Sequence, residues 1–552
     1  MPPTDAVAAT PVPSQVPRGI RLGLVLGAPG IPTWLASALT EAGRQAGAAI
    51  AHVCVTTAPP PLPITPGPAA LLWYANWDRG RQGAAVDPFE LQSLPPEVLA
   101  ADCVHSGSLK ELVSHAAAAG LDVILGYGLP VSDLVGLSEL IEPAVWWYAF
   151  GSGSTPTADT LEPLPDGLGE MGAPAPVARA ALVASQRGIL HTVIEAWTAA
   201  DSYSLHRGRS VKRRVAAELL PVALRKPRTW FASLIPASAA DPGASRPALP
   251  SPAALLPALA VRRVIAGVRE RVLRPQWFMA VGENDPHDIA TWSDWSRFSL
   301  IMPPRDRFWA DPFCVEADGR ELVFFEELRY AEPRGRICVG ELMDQTLVRT
   351  RVVIERPYHL SYPCVFRWNG TWYMVPETSE HRTIELHRAL DFPDTWELDR
   401  ILLDDIYAVD ATPFEHDGRW WMFASVSGGP VTIGHMLMLY GAPTPLGPWW
   451  EHPASPLRID VRGGRPAGGV IKHSGGLLRP AQDGTRGYGG SLRLYRISRL
   501  DQESYAEEEI MHVEPNWRRG LVGTHTLNRA GRHMLVDGLW WRPLWGGTPP
   551  PR

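Results

Sequence analysis

Several patterns that identify common protein classes are missing from this sequence. Its five cysteines, Cys54, Cys103, Cys314, Cys338 and Cys364, show no CxxC spacing, which argues against a disulfide framework or a zinc site. There is no HExxH motif, and the turn Gly27–Gly30 reads GAPG rather than the GxGxxG of dinucleotide-binding folds. We therefore predict no metal and no cofactor.

Long apolar runs and strong net charge are also missing. No stretch approaches the roughly 18 apolar residues that cross a bilayer, and the first twenty residues lack a signal-peptide core. We therefore expect a cytoplasmic protein without a membrane span. Lys and Arg number 52 against 58 Asp and Glu, a net charge of −6, so no overall field attracts nucleic acid and no nucleic-acid partner is predicted.

The sequence is instead rich in turn formers and tryptophan. It has 552 residues, enough for two to four domains, with 50 Gly and 55 Pro, which favour many turns and short strands. The 22 Trp residues suit large cores, and indole rings also stack on the apolar faces of sugars.

The first part of the chain predicts an α/β domain. Residues 1–18 are rich in Pro and Ala and are expected to be disordered. Strands are predicted at Leu22–Leu26, Ala51–Val55 and Leu121–Gly126, with helices at Trp34–Ala49 and Val113–Ala119. Alternating strands and helices indicate a parallel sheet, which we place in a domain over residues 19–231.

A composition change marks the next boundary. Residues 232–275 begin with a Pro-, Ala- and Ser-rich connector and end in a basic helix predicted over Val261–Arg274. We expect the arginines of this helix to form a solvated face or an interdomain contact.

From residue 276 to 547 a repeat appears. Its copies start at Asp311, Tyr362 and Asp410, which lie 51 and 48 residues apart, with further copies predicted at Gly476 and Gly523. Spacing of this length is typical of four-stranded propeller blades, and the Asp-Gly and Asn-Gly pairs suit tight hairpins. The fold class is therefore multidomain, an N-terminal α/β domain followed by an all-β five-bladed propeller.

Carboxylates occupy equivalent positions in these repeats. Asp311 and Asp410 start the first and third copies, and second strands of the first two end in Glu326, Glu327 and Glu377. In a closed ring such positions converge, and neighbouring buried carboxyls separate into a base and an acid, as glycosidic-bond chemistry requires. Asp residues that only cap turns are the structural alternative.

Other side chains near these acids suit a polyhydroxylated ligand. As substrate-binding candidates we list Trp309, His359, Tyr362, Arg465, Arg479, Gln482, Asp483, Tyr488 and His525. The two arginines could instead hold a phosphate or carboxylate, or clamp the blades together.

An ordered series of motifs carries a family resemblance. WADPF, HLSYPCVF, MVPETSE, VDATPF, GRWWMF, GPWWEHPASPL, RPAGG, LLRPAQD, YGG and GTHT follow one another between about 280 and 545. The series resembles the propeller module at the N-terminus of plant glucosamine inositolphosphorylceramide transferases, which is similar to family 43 glycoside hydrolases. The resemblance implies that Asp311 is a base and Asp410 a modulator of pKa. The family's acid is a Glu in blade four, but Arg479–Asp483 contains no Glu. Glu377 or Glu327 could take its place, or the site could bind a glycan without cleaving it.

The N-terminal domain resembles the formyltransferase fold more faintly. The resemblance rests on the opening strand, the strand LDVILGYG and a helical stretch near Asp201–Leu224. The stretch WWYAFGSGSTPTADTLEPLPDG contains neither the His nor the Arg-Gly that the family's catalytic loop requires. We predict a degenerate domain with a structural or binding role.

These observations lead to two hypotheses. The first is a carbohydrate-active protein whose propeller binds a glycan or a sugar-containing small molecule in envelope-glycan or glycolipid assembly. If it is an enzyme, it is of glycosyl hydrolase or glycosyl transferase type, with Asp311, Asp410, Glu377 and Glu327 as the catalytic candidates. The second is a non-catalytic glycan-binding scaffold that recruits a partner enzyme of envelope-glycan synthesis.

Overall fold

Two domains are seen in the computed structural model. It describes residues 19–28, 30–56, 74, 77–78, 90–96, 104–107, 113, 120–151, 177–201, 203–226, 252–283, 292, 294–429, 432–473 and 475–544. Among these residues no helix is long and apolar enough to cross a membrane. The four described cysteines are not disulfide-bonded, and Cys103 lies outside the described residues.

The N-terminal domain is built on a seven-stranded sheet of order β5-β3-β1-β6-β7-β8-β9. The strands of this domain are β1 (Arg21–Leu26), β2 (Ile31–Pro32), β3 (Ala49–Thr56), β4 (Leu91–Gln92), β5 (Val104–Gly107), β6 (Val123–Tyr127), β7 (Ala144–Gly151), β8 (Val177–Gln186) and β9 (Ile189–Ala199). The helices are α1 (Thr33–Ala46), α2 (Val131–Leu140) and α3 (Leu205–Arg225). The helix predicted at Val113–Ala119 lies almost wholly outside the described residues.

The predicted parallel sheet is confirmed for its first five strands, and the last two are antiparallel. The connection between β8 and β9 explains the antiparallel pairing of these two strands. Arg187 and Gly188 form a two-residue loop in which both φ angles are positive, 51° and 79°. A loop of this type joins neighbouring strands as a hairpin, which is antiparallel by construction.

A long helix, α4 (Pro252–Val272), leads into the propeller. It begins at Pro252 rather than at the predicted Val261, and residues 227–251 lie outside the described part of the chain. Leu255 and Leu259 are buried against Tyr74 and Leu205 of the N-terminal domain. These leucines explain why the Pro- and Ala-rich sequence holds a helix here, because tertiary burial outweighs weak local propensity.

The predicted five-bladed propeller is confirmed. Its strands are β10 (Leu273–Glu283), β11 (Ser299–Ile301), β12 (Arg307–Ala317), β13 (Arg320–Arg329), β14 (Glu332–Met343), β15 (Thr346–Ile354), β16 (Ser361–Trp368), β17 (Thr371–Glu377), β18 (Thr383–Asp391), β19 (Thr395–Asp404), β20 (Tyr407–His416), β21 (Arg419–Ser427), β22 (Met436–Ala442), β23 (Trp450–Glu451), β24 (Arg458–Ile459), β25 (Arg465–Pro466), β26 (Ile471–His473), β27 (Gly476–Asp483), β28 (Ser491–Leu500), β29 (Tyr505–Val513), β30 (Leu521–Gly523), β31 (Leu527–Ala530) and β32 (His533–Pro543). Blades one to four are β12–β15, β16–β19, β20–β24 and β25–β29.

The fifth blade closes the ring with strands from both ends of the propeller. Strand β10 pairs antiparallel with β32 from Leu273 opposite Pro543 to Glu283 opposite His533. Strand β11 extends this sheet on one side, and β30 and β31 extend it on the other.

The hairpin pattern of the first three blades follows the predicted turn pairs. Asp318-Gly319, Asn369-Gly370 and Asp417-Gly418 join the first and second strands, and each residue has a positive φ. In blade four the predicted start at Gly476 is wrong. Gly476 begins the second strand, and the innermost strand is the interrupted pair β25 and β26. No Asp-Gly or Asn-Gly pair marks this hairpin, so the sequence pattern shifted by one strand.

The N-terminal domain packs against blades two and three. One apolar cluster contains Leu22 and Leu219 of the first domain together with Val375 and Met422 of the propeller. Polar contacts border it: Glu218 of α3 accepts hydrogen bonds from the backbone N–H of Gly428 (3.1 Å) and from the hydroxyl of Thr432. The two domains therefore share a core.

Candidate active site

The innermost strands of blades one, two and three share a bulge at one equivalent position. At Asp311, Tyr362 and Asp410 the φ angles are 52°, 45° and 56°, and pairing with the second strand is interrupted there in all three blades. Bulges of this kind redirect a side chain. In two blades the next residue is proline, which has no N–H to lose from the ladder.

Asp311 lies at the centre of a buried polar cluster. Its carboxylate accepts hydrogen bonds from the Thr526 hydroxyl (2.6 Å) and from the backbone N–H of Tyr362 (3.3 Å). Burial, reinforced by the carboxylates of Asp410 and Asp537, raises the pKa of Asp311 to about 6, although His525 and Thr526 act in the opposite direction. Near neutral pH this group is therefore poised to accept a proton.

His525 and Asp537 complete this side of the cluster. His525 Nε2 lies 3.7 Å from Asp311 Oδ1, and His525 Nδ1 lies 2.6 Å from Asp537 Oδ2. Burial acts to lower the pKa of His525, but Asp537 and Asp311 outweigh it, and the net direction is upward. The ring also stacks on Trp277, with centroids 4.0 Å apart.

The same three side chains are the candidates for holding a metal ion. Possible ligand atoms of Asp311, His525 and Asp537 all lie within 4.8 Å of one another, the one such group among the described residues. Asp537 is already engaged, because its Oδ1 accepts the backbone N–H groups of His525 (2.8 Å) and Thr526 (3.0 Å). The sequence-based expectation of no metal stays a prediction.

Glu326 supplies a second carboxyl of a different kind. It is 5% exposed, and burial, followed by the charges of Asp311 and Glu377, raises its pKa well above the ordinary value. Its Oε1 is buried without a hydrogen bond and lies 3.4 Å from His359 Nε2. His359 Nδ1 accepts the backbone N–H of Gly335 (3.0 Å), so the neutral ring carries its proton on Nε2. The surroundings of Glu326 thus favour its protonated form, in the same cluster as Asp311.

Glu377 occupies the equivalent place in blade two. Ser361, opposite Glu377 in the sheet, donates its hydroxyl (3.3 Å), and the backbone N–H of Ser379 donates at 2.7 Å. Glu377 is one of the charges that act on Glu326, which places it in the same cluster.

Asp410 is held on the other side of the centre. The Arg465 guanidinium contacts both of its oxygens, Nε at 2.6 Å and Nη2 at 3.3 Å, and the Gln482 amide donates to Oδ2 at 3.1 Å. Asp410 is 1% exposed, so this two-pronged ion pair is almost fully shielded from water.

Tyr362 and Tyr488 have contrasting positions. Tyr362 is fully buried, and its hydroxyl bonds to Thr412 (2.9 Å) and to the backbone N–H of Gly468 (2.7 Å), which ties three blades together. Tyr488 is 58% exposed, and its hydroxyl reaches inward to His525 Nε2 at 3.0 Å. Tyr488 therefore forms the solvent-facing cover of the cluster.

Two predicted residues of blade one point away from this cluster. The Glu327 carboxylate contacts Arg307 (3.0 Å), Arg336 (2.7 Å) and the Trp309 indole N–H (3.1 Å). Burial acts to raise the pKa of Glu327, but these three donors outweigh it and the pKa is lowered. Side chains alternate along a strand, so Glu326 and Glu327 face opposite sides. Trp309 packs in the core beside Phe325 and offers no free face at the centre.

Two predicted residues of blade four are also placed elsewhere. Arg479 pairs with Glu507 at 2.7 Å, and Asp483 pairs with Arg493 at 2.6 Å. Both lie on the second strand, where Gln482 alone of the three reaches Asp410. The shifted register of this blade explains why the sequence pattern included all three.

Asp537 and Trp277 were missed by the sequence analysis. Asp537 lies on the second strand of the closing blade, and Trp277 lies on β10, ahead of the first repeat. Alignment of β32 with the second strands of the other blades would have drawn attention to Asp537.

A family comparison agrees with this architecture. Residues 301–536 match the family described as “Glucosamine inositolphosphorylceramide transferase 1, N-terminal”. The match confirms the resemblance predicted for the propeller. The predicted likeness of residues 19–231 to formyltransferases stays a prediction.

Curated relatives carry the same name. The propeller is similar to glucosamine inositolphosphorylceramide transferase 1 of Oryza sativa subsp. japonica, 35% identical over 205 residues, which cover 36% of this chain and 27% of that protein. The Arabidopsis thaliana protein of that name is 32% identical over 209 residues, 37% of this chain and 27% of that protein. The chain thus spans about a quarter of the length of the relatives that it matches.

Solved structures with some similarity include two glycoside hydrolases. A family 117 enzyme of Zobellia galactanivorans has TM-score 0.32 and 13% identity, covering 48% of this chain and 91% of that chain. A GH43_1 enzyme of Xanthomonas citri has TM-score 0.32 and 11% identity, covering 44% and 89%. At these scores the assignment of a propeller rests on the strand topology described above.

Proposed function

We propose that the propeller binds a glycan or an activated sugar over the central cluster and acts on a glycosidic bond, with Asp311 as the base and Glu326 as the acid. The observation that carries the proposal is the difference between the surroundings of the Asp311 and Glu326 carboxyl groups. Asp311 has a pKa of about 6 and its carboxylate accepts a hydrogen bond from the Thr526 hydroxyl, whereas Glu326 is buried without a hydrogen bond to Oε1 and burial raises its pKa well above the ordinary value. Two carboxyls that hold different protonation states at one pH are what acid–base chemistry on a sugar requires.

The names of the relatives suggest a setting. They join glucosamine with inositolphosphorylceramide, a sugar with a phosphorylated lipid. We therefore place this protein in glycolipid or envelope-glycan assembly, and we retain the cytoplasmic location as part of the proposal. The matched part covers 27% of those proteins, so sugar transfer by the whole relative is a separate question.

The test is a screen of the purified full chain against nucleotide sugars and envelope glycans. Binding is measured by calorimetry and product formation by mass spectrometry. D311N and E326Q preserve shape and are expected to abolish product formation while a bound sugar is still detected. D318N, an exposed turn residue of the same blade, is the matched control and should behave as the unaltered protein. Full turnover by D311N would refute the assignment of the base.

A second candidate is glycan recognition without catalysis. Blade four favours this candidate. Arg465 lies opposite Gln482 in this blade, just as Ser361 lies opposite Glu377 in blade two. Blade four therefore has an amide side chain where blade two has a carboxylate. Arg465 engages both oxygens of Asp410, which leaves that carboxylate committed to an ion pair. Sugar binding by the unaltered protein, with no product from any donor, would favour this candidate.

A further inference from the structure

Helix α4 carries an exposed aliphatic stripe on its second half. Val261, Val264, Ile265, Val268 and Val272 are 57%, 65%, 60%, 53% and 38% exposed. With about 100° per residue, these five positions fall within an arc of about 100° on one side of the helix. Contiguous exposed apolar surface of this kind is uncommon on soluble proteins and marks an interaction site.

The opposite side of the same helix is already covered. Leu255 and Leu259 are buried, and Arg263 pairs with Asp78. The stripe is therefore a second apolar face that the N-terminal domain leaves exposed.

Arginines border the stripe on both sides. At the same angular spacing, Arg269 and Arg271 project to opposite flanks, and Glu270 projects to the far side. Arg269 lies over the ring of Trp541, with its guanidinium carbon 4.3 Å from the centroid. Cationic and tryptophan side chains beside an aliphatic face are typical of helices that lie in a membrane–water interface, where the aliphatic stems extend along the apolar surface.

The stripe ends at a cavity lined by three arginines. Arg274, Arg305 and Arg542 surround a space of about 60 Å³ together with Gln276, Tyr330 and Leu544. The backbone N–H of Leu544 donates to the carbonyl of Val272 (3.0 Å), and Leu544 is 38% exposed, so stripe and cavity are continuous.

The described residues do not neutralise the positive charge of this cavity. Among the described residues none of the three arginines forms an ion pair, and Asp306, next to Arg305, is held by Arg307 at 2.9 Å. Arg274 lies over the ring of Tyr330 (4.4 Å), and Arg542 donates to Gln276. Burial and the nearby Arg305 lower the pKa of Arg542, as expected for a cation that lacks a counter-charge.

We infer that helix α4 and the arginine cavity attach this protein to an anionic membrane surface, with the aliphatic stripe in the headgroup region and a lipid phosphate between Arg274, Arg305 and Arg542. Guanidinium groups suit phosphate oxygens, and charge complementarity selects an anionic surface over a zwitterionic one. This inference does not depend on the proposed sugar chemistry, because it uses none of the central residues.

The experiment is vesicle flotation of the full chain. Vesicles of phosphatidylcholine are compared with vesicles in which a third of the lipid is phosphatidylglycerol, at about 0.1 M salt, where the Debye length is about 10 Å. We expect flotation with the anionic vesicles alone, and weaker flotation as salt increases. V264D/V268D should abolish it, whereas L398D/I401D, an equal charge change at exposed aliphatic positions of blade two, should not.

A second pair of variants tests the cavity. R274A/R305A should lower the partition constant about 30-fold, at about 1 kcal/mol for each arginine near an anionic surface. R388A/R499A removes the same charge from other exposed positions and should leave binding unchanged within about two-fold, as expected for charges distant from the bilayer.

Several results would overturn the inference. They are absence of flotation, equal flotation with both vesicle types, or unaltered flotation of V264D/V268D. Inorganic phosphate could instead raise the midpoint of thermal unfolding in a way that requires the three arginines. That result, without flotation, would assign the cavity to a free anion. A dimer in light scattering that V264D/V268D dissociates would assign the stripe to a second copy of the chain.

Discussion

Replacing Glu218 by glutamine removes one titratable carboxyl from the contact between helix α3 and blade three. In the folded protein Glu218 accepts hydrogen bonds through Oε1 from Gly428 and Thr432, whereas its Oε2 is buried without a partner. Burial, with a contribution from Glu41, raises the pKa of Glu218 from 4.5 to about 7. The folded state therefore retains a proton that the unfolded state has already released.

The sign and size of the effect follow from linkage. Between pH 4.5 and about 7 the folded state binds more protons at this residue, so the free energy of unfolding falls as pH rises through this window. At about 1.4 kcal/mol per pH unit the upper limit is about 3 kcal/mol, and we expect about 1–3 kcal/mol because the residue is only partly buried. Glutamine has the shape of the protonated acid and does not ionise.

The assay compares unfolding of the unaltered protein and E218Q from pH 5 to pH 8, by urea with tryptophan fluorescence. The two should be similar near pH 5, and E218Q should be more stable by about 1–3 kcal/mol near pH 8. E41Q is a useful contrast, because Arg44 and Gln45 outweigh burial and lower the pKa of Glu41, which reverses the sign. Parallel pH curves for E218Q and the unaltered protein would refute the reasoning.

Three further predictions concern the propeller. Activity, if measured as kcat/KM, should fall about tenfold per pH unit below about 6 as Asp311 takes up a proton, and a flat profile from pH 5 to 8 would contradict its role as a base. R465A should cost about 3–5 kcal/mol in urea unfolding because it leaves Asp410 buried with Gln482 as its remaining partner, and R465K should cost less; equal stability of R465A and the unaltered protein would count against the ion pair. G489A should destabilise the protein more than G319A. Both glycines have a positive φ, which costs about 1–2 kcal/mol for alanine, but only at Gly489 would the added carbon lie 2.6 Å from Trp277. Equal thermal midpoints for the two variants would contradict this packing.

The fold was predictable where local chemistry repeats. The Asp-Gly and Asn-Gly turns fixed the hairpins of blades one to three, and the spacing of Asp311, Tyr362 and Asp410 identified equivalent strands. In blade four the Asp-Gly pair, Asp483-Gly484, follows the second strand instead, and the interrupted inner strand disguised the register. The antiparallel pairing of β8 with β9 depends on a two-residue loop in which Arg187 takes a positive φ, a conformation that an arginine residue does not predict.

The acidic residues of the site could be predicted from the sequence, but the side chains that they contact could not. Strand alternation separates Glu326 from Glu327, but which of two adjacent glutamates faces the centre depends on the bulge before Phe313, a tertiary feature. Asp537 lies on β32, the second strand of the closing blade, to which the sequence analysis assigned no carboxylate. Net charge likewise gave no sign of the arginine cavity, since a value of −6 averages over the whole surface.

The ring closure bears on how the propeller can be produced in isolation. The family match spans 301–536, whereas β10 begins at Leu273 and β32 ends at Pro543. A recombinant fragment trimmed to the matched limits would lack β10 and most of β32, exposing an unpaired sheet edge in the fifth blade that would then be free to pair between molecules.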